Sequence, residues 1–567
     1  MKKANRFLTL AMAAVVAASL LAGCGQKAGG QASGPAQGGP SSKAELMDAQ
    51  AGKLEGEAAA GMVDKLVTTL STSSFDTSPF APPTMGMIMK PMMYATLVYR
   101  EYYGAPLEDC TMWLAKSVTA VDDFTYDIEL YDYITDSKGN HIDADDVIFS
   151  YEMSGSLGQF LNVGTNMESL TKTGDHSLRM VINKKAPGVL EDLLSNTQLY
   201  IVDKEWYEGA SEEERRSDPA VTGAYRVSSV VSGSSAVLEA VENYWQTDVS
   251  LRPKAAYQNV KTVEFKVITE ASMRAIALEN KEVDITTVNN SDLPHFFENG
   301  QAKEGYNVAI EGGTSGTHLF LNMDSGKSVL ADNPELRKAV LYAVSSEDVM
   351  FATGADEYTG QVLHTLGTQN QAGYLPQWDQ EDYFDYDPEK ARQHLEAAGY
   401  KPGEVTLRVM TSSMLFNDSV RAVLIANLEA AGFKVDSLAV DQALFNTYKN
   451  DSTQWDMMID LKGGQTGHII GCWDYCFNPS GYTNGSVCFT HDDTLVKLLE
   501  EANNKSDEAS MIAFHNYLKE QAICKGLYAS LSATASSDGI LEITMGSMGS
   551  TYLPNALVFS ADYQSVG

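Results

Sequence analysis

The sequence predicts an α/β protein of two or three lobes, and three observations carry that expectation. Strand-like and helix-like segments alternate along the chain, roughly 500 residues follow a low-complexity N-terminal stretch, and no second long apolar run interrupts them.

The N-terminus comes first. Lys2, Lys3 and Arg6 precede an apolar run over 7–22 that is too short to span a bilayer stably, and the small residues Ala22 and Gly23 lead into Cys24. That order reads as a secretory signal over 1–23. Leu21-Ala22-Gly23-Cys24 resembles the bacterial lipobox, which implies that Cys24 is diacylated and becomes the first residue of the mature chain. A cysteine carrying more than one acyl chain anchors stably. Residues 25–42 are almost entirely Gly, Gln, Ala, Ser and Pro, a composition that cannot bury a core. The whole stretch 24–61, with its Ala- and Glu-rich part from 44, is therefore expected to be a lipid-anchored flexible tether.

The body then alternates. Tyr126 to Tyr131 has the period of a half-buried strand, Ser137 to Asn140 supplies a turn, and Asp143 can cap a helix running through Val147, Ile148 and Tyr151. Asp332 or Asn333 can cap a second helix with Pro334 at its first position and Leu336, Ala339, Val340, Ala343 and Val344 on one stripe. Asp387-Pro388-Glu389 opens a third, with Ala391, Leu395 and Ala398 on one face and Gly399 as its stop. Val405, Leu407 and Val409 then alternate as a strand. Val420, Val423, Leu424 and Leu428 form a helix face closed by Gly432, and Phe433-Lys434-Val435 begins another strand, which completes a β-α-β unit.

Charge excludes some partners. The formal net charge is −34, and loss of Lys2, Lys3 and Arg6 with the signal takes it to −37, which argues against nucleic acid or anionic lipid headgroups. Cysteines are sparse: apart from Cys24 there are Cys110, Cys472, Cys476, Cys488 and Cys524, so no disulfide-dense scaffold is expected. Cys472, Cys476, Cys488 and His491 offer four residue types that bind structural zinc, at a loose spacing. A disulfide within that group and a set of buried inert thiols are the competing readings.

Several segments, in order, resemble the bacterial extracellular solute-binding proteins of the oligopeptide- and dipeptide-binding family, the receptors of ATP-driven (ABC) importers. They are Leu114 to Ser117 with Asp122 to Leu130; Gly139 to Tyr151; Thr222 to Val227; Glu242 to Trp245; Ala277 to Ile285; Phe320-Leu321-Asn322; Leu336 to Val344; and Tyr386 to Tyr400. The resemblance implies a periplasmic-binding-protein-like type II fold, two α/β lobes with a hinge plus an extra subdomain. It divides the chain into lobe I from 62–95, 201–315 and 526–567, the extra subdomain from 96–200, and lobe II from 316–525. Solute would bind between closing lobes, without covalent chemistry or cofactor, in a monomer on the outer face of the cell membrane, for delivery to importer permease subunits.

Gly471-Cys472-Trp473-Asp474-Tyr475 resembles the stretch where a carboxylate of peptide receptors meets the peptide's ammonium. The resemblance gives Asp474 that role, Trp473 and Tyr475 flat apolar walls, and Gly471 and Cys472 a place in the same site, with Asn322 and, in the loop Phe75 to Pro79, Asp76 completing the set. Cys476-Phe477-Asn478-Pro479 departs from the family's continuation into Asp-Pro, and Gly463-Gly464 and Gly467-His468 lengthen the preceding segment. Met85, Met87, Met89, Met92 and Met93 are read as cleft or core packing.

The expected ligand is a peptide. The same receptor class for a metal chelate, haem or an oligosaccharide is the alternative, and an extracytoplasmic hydrolase is the alternative of a different class. No G-x-S-x-G elbow occurs, Leu321 holds the place of the first glycine a phosphate loop ending in Gly326-Lys327-Ser328 would need, and Ser169 to Lys172 spells S-x-x-K without its usual companions.

Overall fold

The computed structural model describes residues 52–73, 75–81, 88–157, 162–312, 315–463, 467–479, 486–547 and 551–566, all within the compact unit Met47–Gly567. The signal 1–23, Cys24, most of the expected tether, Met85 and Met87 lie outside the described residues.

The helices begin where their capping residues stand. Asp143 caps Ala144–Ser156 in a reciprocal box with Asp146, Asp387 caps Pro388–Ala397, and Asn417 caps Asp418–Ala430. Of the two candidates before Pro334, Asn333 is the cap of Pro334–Ala343, its side chain accepting from the Leu336 amide. Gly399 and Gly432 end their helices at φ +92° and +102°.

These elements build three main sheets. In the first, Val63–Leu70 lies parallel to Val260–Val267, followed by Ser235–Ala240 and Tyr225–Val231. The second is antiparallel, in the order Ala115–Ala120, Thr125–Leu130, Ser177–Ile182, Met167–Gly174. Both share one core, in which Leu66, Tyr94, Ile128, Tyr151, Tyr225 and Phe265 are buried together, so no core boundary separates 96–200 from its flanks. Gly223 is required there, since a Cβ would stand 2.5 Å from the Met92 carbonyl oxygen.

The third sheet carries the second lobe. Its order runs Ile285–Val288, Cys524–Ser537, Ser315–Leu321, Met457–Gly463, Thr406–Ser412, Lys434–Val440. Thr406–Ser412 and Lys434–Val440 are parallel and joined by the helix Asp418–Ala430, the expected β-α-β unit. Leu319, Leu321, Val409, Met457 and Ile459 face one core and Phe320, Met410 and Met458 the other, so strands buried on both sides read as continuous apolar runs. Arg337 crosses the lobe's interior, donating to the carbonyls of Leu330, Ala331 and Gln521.

One strand belongs to both lobes. Cys524–Ser537 pairs with Ser315–Leu321 through Cys524–Tyr528 and with Tyr306–Gly312 through Leu531–Ser537. Its pairing with the second lobe runs on through Ser530, opposite Gly360–Val362, and the Leu531 amide donates to the Thr359 carbonyl at 2.8 Å, whereas the sequence places the boundary at 525/526.

The expected tether ends too late. Leu54 and Ala59 donate backbone hydrogen bonds to Leu541 and Phe559, both at 2.8 Å, and Lys53 and Ala58 bridge to Glu542 and Ser560. Residues 52–61 are thus docked on the C-terminal segment. Composition misreads them because backbone pairing asks little of side chains.

Candidate functional site

The lobes meet where two glycines let their backbones touch. Gly104, four residues beyond the strand Val98–Arg100, lies against Gly467: a Cβ on Gly104 would stand 2.4 Å from the Gly467 carbonyl oxygen. Both have positive φ, +75° and +76°. The Ala372 amide donates to the same carbonyl at 3.0 Å, which fixes the loop around residues 368–374 over the first lobe. Within that loop Asn370 presses on Gly312, where a Cβ would sit 1.7 Å from its Nδ2.

An ion pair crosses the same seam. Lys184 Nζ, just beyond the strand Ser177–Ile182, stands 2.8 Å from Asp474 Oδ2 on the helix Ile469–Phe477. Asp474 Oδ1 accepts from Asn503 at 2.9 Å and from Asn478 at 3.2 Å. With side chains 31% and 24% exposed, the pair is partly screened and worth about 1 kcal/mol at most.

More charge lines the first-lobe side. Arg100 is buried and donates to the Gly188 carbonyl at 3.1 Å; Glu101 accepts from the Thr111 hydroxyl and has Lys254 Nζ 4.0 Å away. Glu311, next to Gly312, is 6% exposed. Burial pushes its carboxyl up to about 7, against the pull of Lys254. On the second-lobe side, Asp460 and Lys462 form a buried pair at 2.7 Å, and the Lys462 ammonium stands 5.4 Å from the centre of the Tyr475 ring. His318 is fully buried, and desolvation brings it down to about 4, so its neutral ring accepts from the Gly367 amide at 3.0 Å.

The residues expected from the sequence separate under this geometry. Asp474 is at the seam, but its carboxylate is already met by Lys184 and two asparagines. Tyr475 is 43% exposed beside it, and Gly471 is half-buried in the first turn of the same helix. Trp473 is no wall: it is fully buried against Trp378 and Phe514, its indole donating to the Leu366 carbonyl at 2.6 Å. The helix turns Asp474 outward and Trp473 inward, a separation that five consecutive residues do not reveal. Asn322 is likewise structural, its amide clamping the carbonyls of Ser452 and Trp455 at 2.8 and 2.6 Å. Asp76 is occupied by Arg216 at 3.2 Å and the Ser78 amide at 2.8 Å.

Cys472 belongs to a packed interior. Cys472, Cys476, Cys488 and Cys524 are all buried free thiols in one core, whereas His491 is exposed, so the zinc spacing is not realised. A hydrogen bond with Cys476 and burial push the Cys472 thiol well up, and burial does the same to Cys488 and Cys524. Among the described residues no group of three His, Cys, Asp or Glu side chains could hold a metal ion. Met89, Met92 and Met93 are fully buried core residues. Ser169 to Lys172 lie in the strand Met167–Gly174, where Lys172 pairs with Asp145 and Asp175 at the surface.

Sequence reasoning missed Lys184, Glu101, Lys254 and Glu311. Lys184 has no motif, and its partner lies 290 positions away. Glu311 did leave a trace, an acid closing the apolar alternation of Tyr306–Gly312.

The family described as bacterial extracellular solute-binding proteins, family 5 (middle region), matches residues 109–483. The dipeptide-binding protein of Escherichia coli is 24% identical over 299 residues, 49% of this chain and 52% of that protein. The nickel-binding periplasmic protein of Escherichia coli is 20% identical over 496 residues, 82% of this chain and 87% of that one. The first curated relatives are matched over about half their length, from 41% to 52%. Among solved structures, DppA from Helicobacter pylori in complex with the peptide STSA superposes with a TM-score of 0.67 at 18% identity, covering 88% of this chain and 99% of that one.

A double-mutant cycle of Lys184→Met and Asp474→Asn, followed by chemical unfolding, should give a coupling of about 0.5–1 kcal/mol at low salt that shrinks in high salt. Zero coupling at low salt would mean that the pair does not hold the lobes together.

Proposed function

Because the chain belongs to the bacterial extracellular solute-binding proteins, family 5, we propose that it captures peptides between its lobes and delivers them to an ATP-driven importer. The observation that carries this reading is the seam itself: two lobes joined by two chain crossings, with charge of both signs between them. A peptide is a zwitterion. Arg100 and Lys254 suit its carboxylate, Glu101 and Glu311 its ammonium, whereas an uncharged sugar would leave the Glu311 carboxylate without a counter-charge.

The mechanism needs no covalent step. A ligand that touches both lobes interacts fully only when they are together, so it shifts the open–closed equilibrium by its differential affinity, and the importer reads the closed shape. In this reading Cys24 holds the receptor by acyl chains on the outer face of the membrane, and the low-complexity stretch that follows keeps captured solute near the import gate. Metal chelates, haem and oligosaccharides remain the competing ligands of the same receptor class.

Thermal-shift screening of the purified full chain against di- to hexapeptides, sugars and nickel chelates should find stabilisation by peptides. Stabilisation by sugars or chelates and by no peptide would overturn the substrate assignment. For the anchor, intact-mass analysis of the membrane fraction should find a diacylated Cys24, with Cys24→Ser shifting the protein out of that fraction. Unchanged membrane association of the variant would remove the lipid anchor from the account.

A further inference from the structure

We infer that Glu311 is the seat for a cationic group of the bound solute, an ammonium gripped at the hinge end of the cleft. The inference rests on reading the chain as a receptor whose lobes close over a solute.

Place comes first. Glu311 is the penultimate residue of Tyr306–Gly312, the strand that leads out of the first lobe, and its neighbour Gly312 is pressed by Asn370 of the second. Strand alternation puts Asn307, Ala309 and Glu311 on one face. Asn307 is tied down, its amide donating to the carbonyls of Gly52, Ile540 and Leu541. Ala309 is buried in the first-lobe core. Glu311 is therefore the member of this face that reaches the seam.

Its carboxylate has no partner among the described residues. Among the described residues no hydrogen bond or ion pair reaches it, although the residue is 6% exposed. Lys254 is the charged group that acts on it, and Lys254 stands 4.0 Å from Glu101; opposite on the neighbouring strand is Ser532. A buried carboxylate without a partner is strongly disfavoured unless a proton or a cation joins it. Asp474 is the reverse case, with both oxygens engaged by Lys184, Asn503 and Asn478. Of the two acids, Glu311 is the one still open to a ligand.

The proton and the ligand should then compete. Burial lifts the carboxyl to about 7 from its ordinary 4.5, so the folded protein holds a proton there that the unfolded chain has lost. Stability contributed by this group falls as pH rises from the unfolded value to about 7, and the full penalty persists above it. An ammonium arriving above that pH removes the penalty.

Two probes separate the inference from the reading beneath it. With the full chain in mild detergent, n-butylammonium chloride, compared with sodium chloride at equal ionic strength, should raise the unfolding midpoint more at pH 8 than at pH 6, and Glu311→Gln should abolish the effect. Trialanine should bind the wild type at least tenfold more tightly than Glu311→Gln at pH 8, with affinity rising from pH 6 to 8 only when Glu311 is present. Without ligand, Glu311→Gln should unfold at a higher temperature than the wild type above pH 7, which shows that the variant folds. Stabilisation by butylammonium without trialanine binding would discard the peptide reading and keep the seat. A butylammonium effect that is absent from the wild type, or unchanged in Glu311→Gln, would overturn the seat.

Discussion

The strand Cys524–Ser537 is the constraint on which the rest depends. Its backbone is committed at one end to Ser315–Leu321 and at the other to Tyr306–Gly312, so each lobe is hydrogen-bonded to the same length of chain. The register shifts at Thr317–His318, and a bulge of this kind bends a strand where it leaves its sheet. Gly526 is part of the same passage, since a Cβ there would stand 2.3 Å from the Thr365 carbonyl oxygen. The two sets of pairings meet without a gap at Leu531, which is opposite Gly312 and donates to the Thr359 carbonyl, so one continuous strand ties the lobes together.

Opposing electrostatic effects act across the seam. Lys184 and Asp474 draw the lobes together by about 1 kcal/mol at most, a factor of roughly five in an equilibrium constant. The glycine contact at Gly104 and Gly467 adds close approach without large apolar burial. Against them stands Glu311, whose unpaired carboxylate disfavours the buried state whenever it is charged. On the proposed reading, a solute carrying the missing charge tips the balance between open and closed lobes.

Local chemistry was legible in the sequence and distant chemistry was not. Asp143, Asp387 and the β-α-β unit ending in Lys434–Val440 follow from capping and periodicity, which act within a few residues. The two-lobed fold followed from ordered family-like segments. Asp474 drew attention through its neighbours in the motif, but Lys184, which meets it, follows a strand of another sheet and left no motif. Trp473 misled because an aromatic in a motif reads alike as a ligand wall or a core residue, and only the turn of the helix decides. Residues 52–61 misled for the opposite reason, being held by backbone hydrogen bonds that composition does not encode.

On the proposed reading, solute closes the two lobes about the strand they share. Small-angle X-ray scattering of the full chain, with and without a saturating solute, tests it most directly. The radius of gyration should be smaller with solute, and the ligand-free radius should grow as salt screens Lys184 and Asp474. Equal radii in all these states, with a solute shown to be bound, would contradict it.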